Sequence, residues 1–219
     1  MNTDAAALGG DTKMIHVIVV DDQAMVRGAL ATLIGLEPDI HVVGQAATGQ
    51  EALDLVRHLE SRGTHVDVAI MDVEMPVLDG IATTARLKMQ HPDVKVLMVT
   101  TFGRPGYVQR AIESGASGFI VKDTPASQLS QAIRKVVKGE RVVDSQLAVD
   151  SLLQGTSPLS ERETEVLTEV AKGGTIDDIA ATLHLSSGTV RNHISSAITK
   201  TQARTRAEAA SIARERGWL

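Results

Sequence analysis

The sequence predicts a flavodoxin-like α/β domain, a doubly wound five-stranded parallel sheet, followed by an all-α helix-turn-helix domain. Three observations predict it. Short runs rich in Val and Ile alternate with helix-period segments up to about residue 138. Four of those runs end in polar side chains. Beyond residue 158 the pattern is purely helical.

The first strand, Ile15-His-Val-Ile-Val-Val20, runs into Asp21-Asp22. Met25, Ala29, Leu30, Leu33 and Ile34 mark an amphipathic helix after it. A second strand spans 40–46. Thr48 caps the next helix, with Glu51 placed for a capping box and Ala52, Leu55, Val56 and Leu59 at helical spacing. The third strand, Val66-Asp-Val-Ala-Ile-Met71, ends at Asp72; Pro76 and Gly80 bracket a loop before a helix over 81–90. The fourth, Val94-Lys-Val-Leu-Met-Val99, ends at Thr100-Thr101. Pro105 opens the following helix and Gly115 closes it. The fifth, Ser117-Gly-Phe-Ile-Val121, ends at Lys122, and a last helix turns Leu129, Ala132, Ile133, Val136 and Val137 inward.

Residues 139–157 read as a linker, with Leu147, Val149, Leu152 and Leu153 spaced for a helical turn or two. Ser160 then caps a helix with Glu163 placed for a capping box, and Gly173-Gly174 ends it. Thr175 caps a short helix. His184-Leu-Ser186 is a tight turn, and Ser186 caps a longer helix with Val190, Ile194, Ala197 and Ile198 inward. A fourth helix covers 206–216. Short helix, tight turn and longer helix make a helix-turn-helix. The domain boundaries read as a disordered leader at 1–13, an α/β domain at 14–138, the linker, and the helical domain at 158–219. Met14 is a second candidate start.

Composition narrows the function. The 219 residues contain no cysteine, which excludes a disulfide framework, a thiol nucleophile and a cysteine-held metal, and fits a reducing compartment. No apolar run can span a bilayer, so the expectation is a cytoplasmic protein without a membrane partner. The net charge of −5 argues against indiscriminate nucleic-acid binding. Yet positive charge gathers from Arg191 onward, at Arg191, Lys200, Arg204, Arg206, Arg214 and Arg216.

In a parallel sheet of this kind, ligands bind beyond the carboxyl ends of the strands. Asp21, Asp22 and Asp72 there supply the oxygen ligands that a cation such as Mg²⁺ requires. A carboxylate can accept a phosphoryl group as an acyl phosphate. Lys122 can pair with its charge and Thr100 can hydrogen-bond to it.

Four motifs make a specific resemblance: Val19-Val-Asp-Asp22, Met71-Asp-Val-Glu-Met-Pro-Val-Leu-Asp-Gly80, Met98-Val-Thr-Thr101 and Gly115-Ala-Ser-Gly-Phe-Ile-Val-Lys-Asp123. They resemble the receiver domain of bacterial two-component response regulators. Leu159-Ser-Glu-Arg-Glu-Thr-Glu-Val-Leu167 and Gly188-Thr-Val-Arg-Asn-His-Ile194 resemble the helix-turn-helix of the NarL/FixJ (LuxR-type) group. Thr101-Phe-Gly-Arg-Pro-Gly-Tyr107 is similar to that group's regulators of membrane-lipid desaturation. The resemblance implies Asp72 as phosphoacceptor. It implies Asp22, Asp21 and the Glu74 carbonyl as metal ligands beside it. It also implies Thr100 and Lys122 as phosphoryl-sensing residues and Phe119 as an aromatic switch. Ile176-Asp177-Asp178 departs from the group, where polar or basic residues are more usual.

On the longer helix, Arg191, Asn192, Ser195, Ser196 and Thr199 lie opposite Val190 and Ile194. Arg reads guanine and Asn reads adenine through paired hydrogen bonds in the major groove of double-stranded DNA. Ser187, Thr189, His193 and Lys200 suit phosphate contacts. The expected function is a transcription regulator phosphorylated on Asp72 by a sensor histidine kinase, becoming a homodimer on phosphorylation. It is not an enzyme beyond catalysing its own phosphoryl transfer. Two rivals differ in class. One is a regulator that binds DNA independently of phosphorylation. The other is an aspartyl-phosphate phosphohydrolase, which needs Asp-x-Asp where this chain has Asp21-Asp22-Gln23.

Overall fold

The computed structural model describes residues 14–101, 105–144, 147–149 and 157–219. Packing divides the chain into two compact units. The expected leader, Leu152 and Leu153 lie outside the described residues.

In the first unit the strands are β1 (Ile15–Val20), β2 (Ile40–Ala46), β3 (Val68–Asp72), β4 (Lys95–Thr100), β5 (Gly118–Val121) and β6 (Val142–Val143). All are parallel, in the order β2-β1-β3-β4-β5-β6. The helices are α1 (Ala24–Ile34), α2 (Gly49–Ser61), α3 (Gly80–Gln90) and α5 (Ala126–Val137), while α4 (Pro105–Glu113) is divided: its last turn, from Ala111, groups with this unit and its residues 105–110 with the second. Alternate strand residues point to opposite faces. Val17, Val19, Val68, Ile70, Leu97 and Val99 therefore pack on Ile34 of α1 and on Leu129, Ile133 and Val136 of α5. The chain runs from β1 outward to β2, then returns to β3 on the other side of β1. The carboxyl ends of β1 and β3 thus meet at the point where strand order reverses.

The sheet carries one strand more than the five read from the sequence. After Gly139, whose φ is +85°, Val142 and Val143 pair with Gly118 and Phe119, inside the stretch read as linker. A two-residue strand has too short a pattern to show periodicity. In α1 the expected inward stripe is also only half right. Ile34 is buried, but Met25 is 88% and Leu33 44% exposed, and Ala29 is exposed too. The helix is apolar on more than one side, so spacing alone did not select the packed face.

The second unit contains α6 (Glu161–Ala171), α7 (Ile176–Leu183), α8 (Ser187–Thr201) and α9 (Arg206–Glu215). Ser160, Thr175, Ser186 and Thr205 cap them through side-chain oxygens. His184, at φ 55°, takes the left-handed conformation that turns α7 into α8. Val166, Leu167, Ile179, Val190, Ile194, Ala197 and Ala209 form the core. Trp218 is buried in it, with the Arg216 guanidinium 5.1 Å from its ring centre. No described helix is long and apolar enough to cross a membrane.

Candidate functional site

Asp21 follows β1 directly, and Asp72 is the last residue of β3. Both are buried, at 1% and 4% exposure, while Asp22 is exposed at the rim. One carboxylate oxygen from each of the three lies within 4.8 Å of the others. Lys122, just beyond β5, places its ammonium 2.6 Å from Asp21 Oδ2 and 3.0 Å from Asp72 Oδ2. Backbone amides hold the acids in place: Gln23 N–H donates to Asp21 Oδ1 at 2.9 Å, and Val73 N–H to Asp72 Oδ1 at 2.8 Å. Gly80 lets the loop after β3 fold tightly, because a Cβ there would meet the Asp72 carbonyl oxygen at 1.8 Å. Its own N–H donates to the Val73 carbonyl.

The electrostatics are those of a crowded anionic pocket. Burial pushes the Asp72 carboxyl up to about 6, against the pull of Lys122, and the Asp21 charge adds to the rise. Burial also opposes the Lys122 charge, but Asp21 and Asp72 overcome it and hold that ammonium above the usual lysine value. Asp21 Oδ2 and Lys122 Nζ are close in distance. Yet among the described residues they are the buried side-chain atoms that lack a hydrogen bond of acceptable geometry. An under-satisfied carboxylate oxygen beside two further acids suits a hard divalent cation, which takes oxygen ligands.

Thr100 ends β4, buried at 2%, and its carbonyl accepts the Lys122 N–H at 2.7 Å. Phe119 is 1% exposed on β5, opposite Met98 of β4 and three residues before Lys122. Glu74 is exposed in the loop two residues after Asp72.

On α8, Arg191, Asn192 and Ser195 are exposed, and His193 is half-buried. Ser187 Oγ donates to Asp177 Oδ1 at 2.7 Å, and the Thr189 and Ser186 hydroxyls lie 2.8 Å apart. Lys200 and Ser196 are turned to Glu163 of α6, the ammonium 2.7 Å from Oε2 and the hydroxyl 2.6 Å from Oε1.

Residues 17–134 match the model of the response regulator receiver domain, and residues 157–213 that of the luxR family of bacterial regulatory proteins. The transcriptional regulatory protein YvfU of Bacillus subtilis (strain 168) is 46% identical over 94% of this chain and the whole of its own. Transcriptional regulatory protein DesR of the same organism is 42% identical over the same shares. Among solved structures, the response regulator ChrA of a heme-sensing two-component system is 30% identical. It aligns with 94% of this chain and 99% of its own, with a TM-score of 0.54. The chain belongs to the two-component response regulators, in the LuxR-type group. It is therefore a DNA-binding transcription regulator in class, not a conventional enzyme.

Within this response regulator, sequence reasoning missed the role of Glu163. The Ser160–Glu163 capping box was legible and is formed. That the same carboxylate also receives Ser196 and Lys200 was not. The available signal was their spacing of four, which puts both on one face of α8. Ser196, read as part of the outward face, instead turns toward α6.

Proposed function

We propose that this response regulator accepts a phosphoryl group on Asp72 from a sensor histidine kinase in the cytoplasm, and that the modified form dimerises and reads paired DNA half-sites. The observation that carries this reading is the single ammonium of Lys122 lying against both Asp21 and Asp72 at the strand-order reversal. An Asp72 oxygen attacks phosphorus; the phosphorus–nitrogen bond to the kinase histidine breaks as the acyl phosphate forms, and the imidazole leaves. Asp21, Asp22, Asp72 and the Glu74 carbonyl would hold Mg²⁺, which supplies charge neutralisation for the transferring group. Lys122 balances the new negative charge, and the Thr100 hydroxyl donates to a phosphoryl oxygen. Phe119, on β5 opposite Met98 of β4, reports the change as the aromatic switch.

In the second domain, Arg191, Asn192 and Ser195 contact base edges, and Ser187, Thr189 and His193 contact phosphates. Incubation with acetyl phosphate and Mg²⁺ tests the acceptor. Wild-type protein should gain one phosphoryl mass, and Asp72→Asn none, since an amide forms no acyl phosphate. Full labelling of Asp72→Asn would remove Asp72 from the role.

A further inference from the structure

Glu163 stands in the first turn of α6 and is only 4% exposed. Its carboxylate takes three hydrogen bonds. Ser160 N–H and Lys200 Nζ both donate to Oε2 at 2.7 Å, and Ser196 Oγ donates to Oε1 at 2.6 Å. Ser196 and Lys200 are one turn apart on α8. They follow Asn192, exposed one turn before Ser196, on the same helix. One buried anion thus grips the reading helix at two successive turns and ties it to the capped start of α6.

The apolar contact of α8 is made by Val190, Ile194 and Ala197, with Ile198 packed beside them, and the hydrophobic effect behind it is non-directional. Charge-assisted hydrogen bonds are directional and short. Burial opposes the Glu163 charge, yet the Lys200 ammonium, the Ser196 hydroxyl and the Ser160 amide outweigh it and hold the carboxyl down at about 2. The anion therefore persists wherever the protein is folded near neutrality. If Lys200 left to meet a DNA phosphate, a buried carboxylate would lose its counter-charge. Lys200 is itself exposed, but the carboxylate is buried and would keep only Ser196 and Ser160 as partners, which opposes the move.

We propose that Lys200 and Ser196 are positioning residues that set the rotation of the reading helix through Glu163, so that they serve sequence discrimination and make no phosphate contact. This rests on the reading that α8 enters the major groove. It assigns to Lys200 a different task from the phosphate contact expected of an isolated lysine on that face.

The test uses the full chain. Wild-type protein selects a duplex from a random-sequence pool, and affinities are then measured for that duplex and for single-base-pair variants of it at several salt concentrations. Lys200→Met and Glu163→Gln should each reduce discrimination about tenfold, with the salt slope unchanged. The double variant should lose no more than either single one, because the pair acts as a unit. Lys200→Arg should restore discrimination. Ser196→Ala, which keeps every charge and is the least disruptive change, should reduce discrimination about threefold, again at constant slope. Thermal melts identify any variant that fails to fold, and Ser196→Ala and Lys200→Arg then carry the decision.

A phosphate contact predicts the opposite pattern. Lys200→Met would weaken all duplexes alike and make the slope shallower by about one unit, while Glu163→Gln would free the lysine and tighten binding. That pattern overturns the proposal, and so does unaltered discrimination in Ser196→Ala and Lys200→Met together. If wild-type protein selects no duplex, the DNA-reading assignment itself falls, a different failure from loss of the clamp.

Discussion

Asp72 shows how one residue carries opposing demands. Its carboxyl titrates at about 6 in the folded protein, above its ordinary 3.8. Between those values the folded state binds more protons than the unfolded one, so metal-free stability falls as pH rises through roughly 4 to 6. It stays lower at neutral pH. An amide mimics the protonated form, so Asp72→Asn should stabilise the metal-free protein at pH 7 by about 1–2 kcal/mol and add little at pH 4. Urea midpoints in the presence of a chelator measure both; a destabilised variant at pH 7 would contradict the sign. Val77, five residues on, is strained for another reason. It sits at φ 69° with its side chain fully exposed, a left-handed conformation that a β-branched residue adopts only at a cost. No packing is lost on truncation there. Val77→Gly should therefore gain about 0.5–1 kcal/mol, the relief of strain less the extra freedom glycine has when unfolded. The shift in urea midpoint reads it directly.

At the scale of elements, what sequence shows depends on whether a pattern is repeated or relational. β1 spans Ile15–Val20 as read, because a run with five β-branched residues in six ends abruptly at two acids. The Ser160 cap was legible because its partner is three residues away. The gathering of Asp21, Asp22 and Asp72 was legible because strand ends in a parallel sheet share an edge. β6 was not, being two residues long, and the buried face of α1 was not, being one of several apolar faces. Long-range partners were the least legible: Lys200 and Glu163 are 37 residues apart, and Ser187 and Asp177 join different helices. That last pair has a consequence for DNA binding. Asp177 holds the Ser187 hydroxyl at the start of α8 and sets a negative charge beside a position proposed to meet phosphate. Asp177→Asn keeps an oxygen that can accept from that hydroxyl but removes the charge, so it should weaken the hold and remove the repulsion. Binding to all duplexes should tighten about three- to tenfold at low salt, without a change in base preference, and the gain should shrink as salt rises. An altered base preference in salt titrations would place Asp177 in specificity instead.

For the whole molecule, the number of reading helices sets the oligomeric requirement. Each chain offers one α8, and its exposed reading residues, Arg191, Asn192 and Ser195, span little more than one helical turn. Such a helix touches few base pairs, so a lone half-site binds weakly. Two linked copies convert the second contact into an intramolecular event, and affinity rises through effective concentration without any new contact. Phosphorylation turns the single charge of the Asp72 carboxylate into the nearly double charge of an acyl phosphate, in a pocket that also holds Asp21 and Asp22, with Lys122 as the cation paired there. The receiver is therefore the domain whose surface has reason to change. The expected outcome is a mostly monomeric unmodified protein and a homodimer when modified, bound to half-sites about one helical turn apart. Light scattering with and without beryllofluoride and Mg²⁺ measures the mass, and footprinting measures the spacing. Doubled mass should accompany tighter DNA binding, and both should vanish in Asp72→Asn. If mass and affinity are the same with and without beryllofluoride, phosphorylation is not the trigger, and the chain acts as a constitutive DNA-binding regulator.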